Sequence, residues 1–497
     1  MKRSLILILT SLLICNITIA NDTDTLYLDL RQTIKLATDS SLTKFRCQNM
    51  LLTGFWDYKT YKARRLPSLS LDLTPVEYNN YFSKRYDSEN DLDIYRKQQT
   101  FGTSGGFSIS QNFDLLGGTF YIDSELGYLK NFGELPYAQF STIPIRIGYQ
   151  QNLLGFNAFK WERKIEPIKY EKIKREFIYN MEILAEEAIG YFFDLAMAQA
   201  DYDLAKENLA SCDTIYRIGL NRQQIASISQ ADLLTLELES INARNTLKSA
   251  EIALKRARFA FLSYLDLDKS KEIKLIITHN LHTKIINTES AIDHAKENNP
   301  TLFAHRITLM EAERDVRKAK VESIFNANLN VSMGFNQVDY NFANAYRKPL
   351  KQNIISVSLS IPILDWGIRK GQLKKRESLL NIAKISAKQD EISLEEDIII
   401  TVNEFNSQQQ LVSSAEYALK VAELACEQTR QRFITGKSDV NSLMLAYNRQ
   451  QTAHKNYLDA LRNYWRNYHK IRRLTLYDFN YDCSLLESFD IIANLFN

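Results

Sequence analysis

Apolar positions in two stretches of this chain recur alternately three and four residues apart. In the first, Leu233, Leu236, Ser240, Ala243, Leu247, Ala250, Leu254, Ala257 and Phe261 make one unbroken seam. That is coiled-coil spacing, and its alanines let neighbouring helices approach closely. The segment before it, Trp161 to Gln223, is rich in strong helix formers, and between Pro167 and Pro300 only Gly190 and Gly219 interrupt. As one helix it would be about 95 Å long at ~1.5 Å per residue, so it needs a partner. The second stretch repeats the seam as Leu443, Ala446, Gln450, Ala453, Tyr457, Ala460, Tyr464, Asn467 and Ile471. Arg222 and Arg432, Ala226 and Gly436, Leu233 and Leu443, and Ala243 and Ala453 are all 210 positions apart. The chain therefore carries two long helical hairpins, with tips near Ala226 and Gly436.

Each hairpin follows an opening helix and a region of period two. The openings are Leu28 to about Leu66 and Thr288 to Phe325, where Ile34 matches Ile292 and Ala37 matches Ala295 at an offset of 258. Then Ser68-Leu69-Ser70-Leu71-Asp72-Leu73 and Asn328-Leu329-Asn330-Val331-Ser332-Met333 alternate polar with apolar, as strands with one wet and one oily face do. Pro144 to Tyr149 and Ile355 to Ile361 are the return strands. The change of offset leaves roughly 50 extra residues in the first half. Two more alternating runs lie there, Gly106 to Gln111 and Phe120 to Leu126, with Gly117-Gly118 as a turn signal between them. This insertion reads as an added hairpin or an outer loop. The polar, tyrosine-rich stretches Tyr78 to Thr100 and Asn336 to Lys351 read as surface loops, with Tyr78, Tyr81, Phe82, Tyr340, Phe342 and Tyr346 either forming an interfacial girdle or covering loop backbone.

The boundaries follow: a signal peptide at 1–20, an opening helix at 21–66, strands at 67–155, the first long hairpin at 156–265 and a linker at 266–287. The second copy has its opening helix at 288–326, strands at 327–364 and hairpin at 365–475, followed by a tail at 476–497. Lys2 and Arg3, the apolar Leu5 to Ile14 and Thr18-Ile19-Ala20 have the three parts of an export signal. The bulky Ile14 before Cys15 argues against a lipoprotein.

Four to six strands with one polar face cannot close a membrane barrel, because an open edge in lipid leaves backbone groups unpaired. Several copies must supply staves to one barrel, continued by a helical tube. At +3, from 62 basic and 59 acidic residues, the charge is too even to argue for nucleic acid. Cys47, Cys212, Cys426 and Cys483 have no metal or redox spacing, and no cysteine or carboxylate cluster completes a metal site around His279 and His282. No catalytic or cofactor-binding motif is present, so an enzyme is not expected.

At Leu28-Asp29-Leu30-Arg31-Gln32-Thr33-Ile34, Ala295-Lys296-Glu297-Asn298-Asn299-Pro300, Ile361-Pro362-Ile363-Leu364-Asp365-Trp366-Gly367, Arg432-Phe433-Ile434-Thr435-Gly436 and Ala231-Asp232-Leu233-Leu234 the sequence resembles the TolC family of outer-membrane efflux and secretion channels. The order and spacing of these stretches carry the resemblance over nearly the whole mature chain. It implies a mainly α fold with membrane β: an internally duplicated helix, strand, strand and long helical hairpin, assembled as a homotrimer with a shared twelve-strand β-barrel and a periplasmic α-helical tunnel. The implied partners are outer-membrane lipid, a periplasmic adaptor and an inner-membrane transporter of the resistance or ATP-driven type. The chain would be the passive conduit of an efflux pump or a type I secretion system. The alternative is an exported coiled-coil spacer or adhesin with a soluble β head, in which Leu69, Leu71, Leu73, Val357, Leu359 and Ile361 would fill a dry core instead of facing lipid.

The candidate site is the pair of tips: Arg222, Ala226, Ser227, Ser229 and Asp232 in the first, Arg432, Gly436, Lys437, Ser438, Asp439 and Ser442 in the second. They are candidates for adaptor docking and for closing the tunnel entrance, and equally for helix capping, since Ser229 with Asp232 has capping-box spacing and Gly436 allows a positive φ. Where some family members carry aspartates that narrow the entrance, this chain has Ser442 and Leu445, leaving Asp439 nearby.

Overall fold

A computed structural model of the chain describes residues 25–87, 91–132, 136–153, 155–224, 228–277 and 284–487. The signal segment, Ala226, Ser227, His279 and His282 lie outside the described residues. The chain divides into two compact units. One comprises Met1–Gln48, Phe177–Asn298 and Glu396–Asn497, the other Asn49–Glu176 and Asn299–Glu395.

The second unit is built on one six-stranded antiparallel sheet. Its strands are β2 (Ser68–Asp87), β3 (Leu92–Phe113), β4 (Gly118–Asn131), β5 (Tyr137–Asn152), β7 (Asn326–Asp339) and β8 (Leu350–Ser360), paired in that order with β2 and β8 at the edges. The insertion of the first half thus forms strands of the same sheet, and six strands per chain replace the four that a twelve-strand trimer implies. The loop reading of Tyr78 to Thr100 is corrected as well, since β2 continues to Asp87 and β3 begins at Leu92. Polar and tyrosine side chains on both faces hide the period of two there. Asn336 to Lys351 is loop only in part, because β7 reaches Asp339, a short helix follows at Phe342–Ala345, and β8 starts at Leu350. Both strand prolines sit where the register slips. Pro75 lies in the Thr74/Glu77 irregularity and Pro144 in the Thr142/Arg146 one, as expected for residues that cannot donate to a ladder.

The sheet's apolar face is bare. Leu69, Leu71, Leu73, Val357, Leu359 and Ile361 are 53% to 68% exposed, so they do not fill a dry core within this unit. At one end the β3–β4 turn meets helix starts and ends: Arg65, just after the helix Leu42–Ala63, pairs with Asp114, and Asn157, just before the helix Ala158–Gln224, donates its Nδ2 to the Asp114 carbonyl at 2.8 Å. Thr142, near the start of β5, instead donates to the Ala345 carbonyl at 2.5 Å.

The first unit is mainly helical, and helices also run through the second. In chain order the helices are α1 (Leu30–Ser40), α2 (Leu42–Ala63), α3 (Ala158–Gln224), α4 (Gln230–Tyr264), α5 (Thr288–Asn298), α6 (Pro300–Glu322), α7 (Phe342–Ala345), α8 (Ile368–Ile434) and α9 (Val440–Thr475). Helices α3 and α8 are both 67 residues long. Along α4 the seam residues Leu236, Ser240, Ala243 and Phe261 are buried, joined by Leu262 at the end of the helix, and Leu233, Leu247, Ala250, Leu254 and Ala257 are half-buried. Each opening helix is in fact two. The first breaks at Ser41, whose Oγ accepts from Lys44 N at 3.1 Å. The other breaks at Asn299, whose Oδ1 accepts from Thr301 N at 2.9 Å with Pro300 at the first helical position.

The opening at Leu28 also begins as a strand and not as helix. β1 (Leu26–Asp29) pairs in parallel with β6 (Ile273–Ile276), and Asp29 then caps α1 by accepting from Gln32 N at 2.7 Å while Gln32 Oε1 accepts from Asp29 N. Beyond α9, β9 (Tyr477–Asp478) and β10 (Cys483–Ser484) form a small antiparallel pair. Cys47, Cys212 and Cys426 are buried, Cys483 is exposed, and all four are free.

Candidate functional site: the hairpin tips

Helix α8 ends at Gly436, where φ is +77°. Lys437 N donates to the Arg432 carbonyl at 2.8 Å and Gly436 N to the Phe433 carbonyl at 3.0 Å, the paired closing bonds of a glycine-terminated helix. Asp439 starts the return: its Oδ1 accepts from Ser442 N at 2.7 Å, and Ser442 Oγ donates to its other oxygen at 3.1 Å. The bonds from Ser442 hold the Asp439 carboxyl below its usual value. In the other hairpin, Ser229 Oγ accepts from Asp232 N at 3.1 Å and donates to the Asp232 carboxylate at 2.8 Å, while Ser229 N donates to that carboxylate at 3.2 Å. A cap of this kind stabilises a helix start by about 1 kcal/mol. Ser229, Asp232, Asp439 and Ser442 are therefore occupied within their own turns.

Arg222 is different because it joins the two hairpins. Its Nη2 donates to the Ile434 carbonyl at 3.0 Å and lies 3.4 Å from where a Cβ on Gly436 would stand, with the guanidinium 5.9 Å from the Phe433 ring centroid. Beneath it Ile215 and Leu236 of the first hairpin pack with Phe433 and Leu443 of the second, flanked by Tyr216, Ile228, Val440, Met444 and Tyr447. The structure thus brings Arg222 and Gly436 together and leaves the two capping pairs apart. Arg432, Lys437, Ser438, Asp439 and Ser442 line the mouth of a groove of about 750 Å³ between α8 and α9, floored by Ala418, Ala422 and Ala425.

One cluster escaped the sequence reading. Glu182 of α3 is buried and meets His469 Nδ1 at 2.7 Å and Arg472 at 2.8 Å on α9, and Arg472 also meets Asp478 at 2.9 Å. Tyr468 donates its hydroxyl to Asp478 at 2.6 Å. One turn on, Arg473 donates to Glu186 at 2.5 Å and to the Tyr179 hydroxyl at 2.6 Å. Burial pushes the Glu182 carboxyl up, but the charges of His469 and Arg472 and their hydrogen bonds outweigh it and hold the group below its usual value. At Glu186 burial prevails over Arg473 and the carboxyl is raised. Glu182 and Glu186 are four residues apart, as are His469 and Arg473, but that spacing alone does not say that the two pairs meet.

Duplicated long hairpins, each closed by a tip, and a six-stranded sheet with a bare apolar face make up a fold that solved outer-membrane channels share. Solved structures share it at low sequence identity. The outer-membrane channel OprN matches with a TM-score of 0.64 at 12% identity, covering 90% of this chain and 89% of that one. CmeC of Campylobacter jejuni matches at 0.64 and 12%, covering 90% and 85%. VceC of Vibrio cholerae matches at 0.63 and 12%, covering 90% and 95%. No curated protein matches by sequence. Residues 291–475, most of the second repeat, match the family model described as outer membrane efflux protein. The comparisons thus show that the chain shares the fold of these outer-membrane channels over about 90% of its length, and that its second repeat resembles the outer membrane efflux protein family.

Proposed function

We propose that three copies of this chain form a passive conduit that takes cargo from an inner-membrane transporter, by way of a periplasmic adaptor, to the cell exterior. The carrying observation is the bare apolar face of the sheet, where Leu69, Leu71, Leu73, Val357 and Leu359 stand exposed. A soluble β head would bury these side chains, whereas a membrane barrel turns them to lipid. The tips are the docking and closing end. Arg222 ties the first hairpin to the second through the Ile434 carbonyl, and opening the entrance requires the tips to part. The groove between α8 and α9, lined by small alanines and edged by Arg432 and Lys437, suits a helical hairpin of the adaptor laid along it.

The test is single-channel conductance in planar bilayers. Arg222→Ala and Arg432→Ala should each raise the conductance of the purified channel several-fold by loosening the entrance. Wild-type conductance in both folded variants would count against closure by these tips.

A further inference from the structure

We infer that all six strands of each protomer are staves of the shared barrel, so that three copies close a wall of eighteen strands. The inference rests on the conduit reading above, and it concerns the strands that the first-half insertion adds.

The register supplies the first argument. Leu69 of β2 stands opposite Ile109 of β3, Ile109 opposite Ile122 of β4, Ile122 opposite Ile147 of β5, and Ile147 opposite Met333 of β7. Residues directly opposite share a face. All five side chains are exposed, so one apolar row runs unbroken from the first repeat through the inserted strands into the second. The other face is polar along the same path. Asp123 of β4 accepts from Arg146 Nε of β5 at 3.0 Å. Tyr121 of β4 lies over Gly148 of β5, where a Cβ would stand 2.2 Å from its ring, and donates its hydroxyl to Asn330 of β7 at 3.1 Å. The inserted strands thus present an oily outer face and a wet inner face in line with their neighbours.

The turns supply the second. The β3–β4 turn returns to the helical end, held there by Arg65 and Asn157 on Asp114. β3 and β4 therefore run the height of the wall and are not an outer loop. The two sheet edges, β2 and β8, carry Leu71 and Leu73 on one side and Ile355 and Val357 on the other, all exposed. Such edges in lipid leave ladder groups unpaired unless another copy covers them, so the occupant is a second copy of this chain, β8 of one against β2 of the next.

Diameter follows from strand number. At a spacing of about 4.8 Å and a tilt of about 40°, twelve strands give a backbone diameter of about 24 Å and eighteen about 36 Å, a size at which barrels hold an aqueous channel.

Native mass spectrometry of the full-length protein in detergent would count copies, and cryo-electron microscopy of the same particles would measure the wall. Three copies with a wall about 1.5-fold wider than a twelve-strand barrel is the expected result. Three copies around a twelve-strand wall, with β3 and β4 folded away, overturns this inference and leaves the conduit standing. Particles with no ring around an axial passage overturn the conduit reading itself.

Discussion

Gly436→Ala isolates the tip geometry from the rest of the molecule. The residue sits at φ +77°, and an L-residue with a Cβ costs about 1–2 kcal/mol in that left-handed region. The new Cβ would also come within 3.4 Å of Arg222 Nη2, the far end of a flexible side chain that can yield by a few tenths of an ångström. Backbone strain therefore dominates, and the penalty falls on the bonds from Lys437 N to the Arg432 carbonyl and from Gly436 N to the Phe433 carbonyl. A local opening energy lowered by that amount speeds exchange of those amides about 5- to 30-fold. Hydrogen exchange read by mass spectrometry on tip peptides measures it directly, with amides of the α9 seam around Tyr464 as an internal control. Gly436→Asn should show a smaller acceleration, because asparagine enters the left-handed region more readily. Unchanged exchange at Lys437 in the alanine variant would refute the account of how α8 ends.

Glu182→Gln leaves Arg472 and His469 facing a neutral amide in a buried site and should cost about 3–5 kcal/mol at neutral pH. Because the Glu182 carboxyl is held below its ordinary value of 4.5, its contribution is complete above that value and is lost as pH falls through the lowered one. Thermal unfolding in detergent from pH 7 to pH 3 should thus steepen on the acid side for the wild type and less for the variant; identical acid limbs would refute the role. Ile122→Arg on the outer face of β4 should cost about 2–4 kcal/mol near the middle of the bilayer, read as reduced folding into lipid vesicles. Substitution of Ser108 on the inner face by Arg should not, and equal losses for both would contradict the assigned faces.

Much of the architecture was legible in the sequence because its periods are long and clean. The α4 seam from Leu233 to Phe261 needs only its three-and-four spacing to be read, and its burial follows that spacing. Ser68 to Leu73 alternates plainly because its apolar side chains all stand on one face of the sheet and its polar ones on the other. Legibility ends where both faces of an element share one environment, as along Tyr78 to Asp87 of β2. It ends too where an element is only four residues long, as in β1 and β6, whose pairing is set by tertiary contact. At the site, the caps at Ser229 and Asp439 could be read from local spacing. The Arg222 contact with Ile434 could not, because the 210-residue offset that aligns Arg222 with Arg432 says nothing of which hairpin lies against which. The cluster around Glu182 joins residues 287 positions apart, beyond any local pattern.

The division of the chain sets an order of events during biogenesis. A polypeptide emerging amino end first delivers Leu26–Asp29 long before its mate Ile273–Ile276, and Glu182 long before His469 and Arg472 of the final helix, its partners. Maturation of the helical body must wait for the closing hundred residues, so a ribosome that stalls early yields a product with no way to complete itself. Such chains, held open with apolar surface uncovered, are prone to aggregate before the last helix arrives.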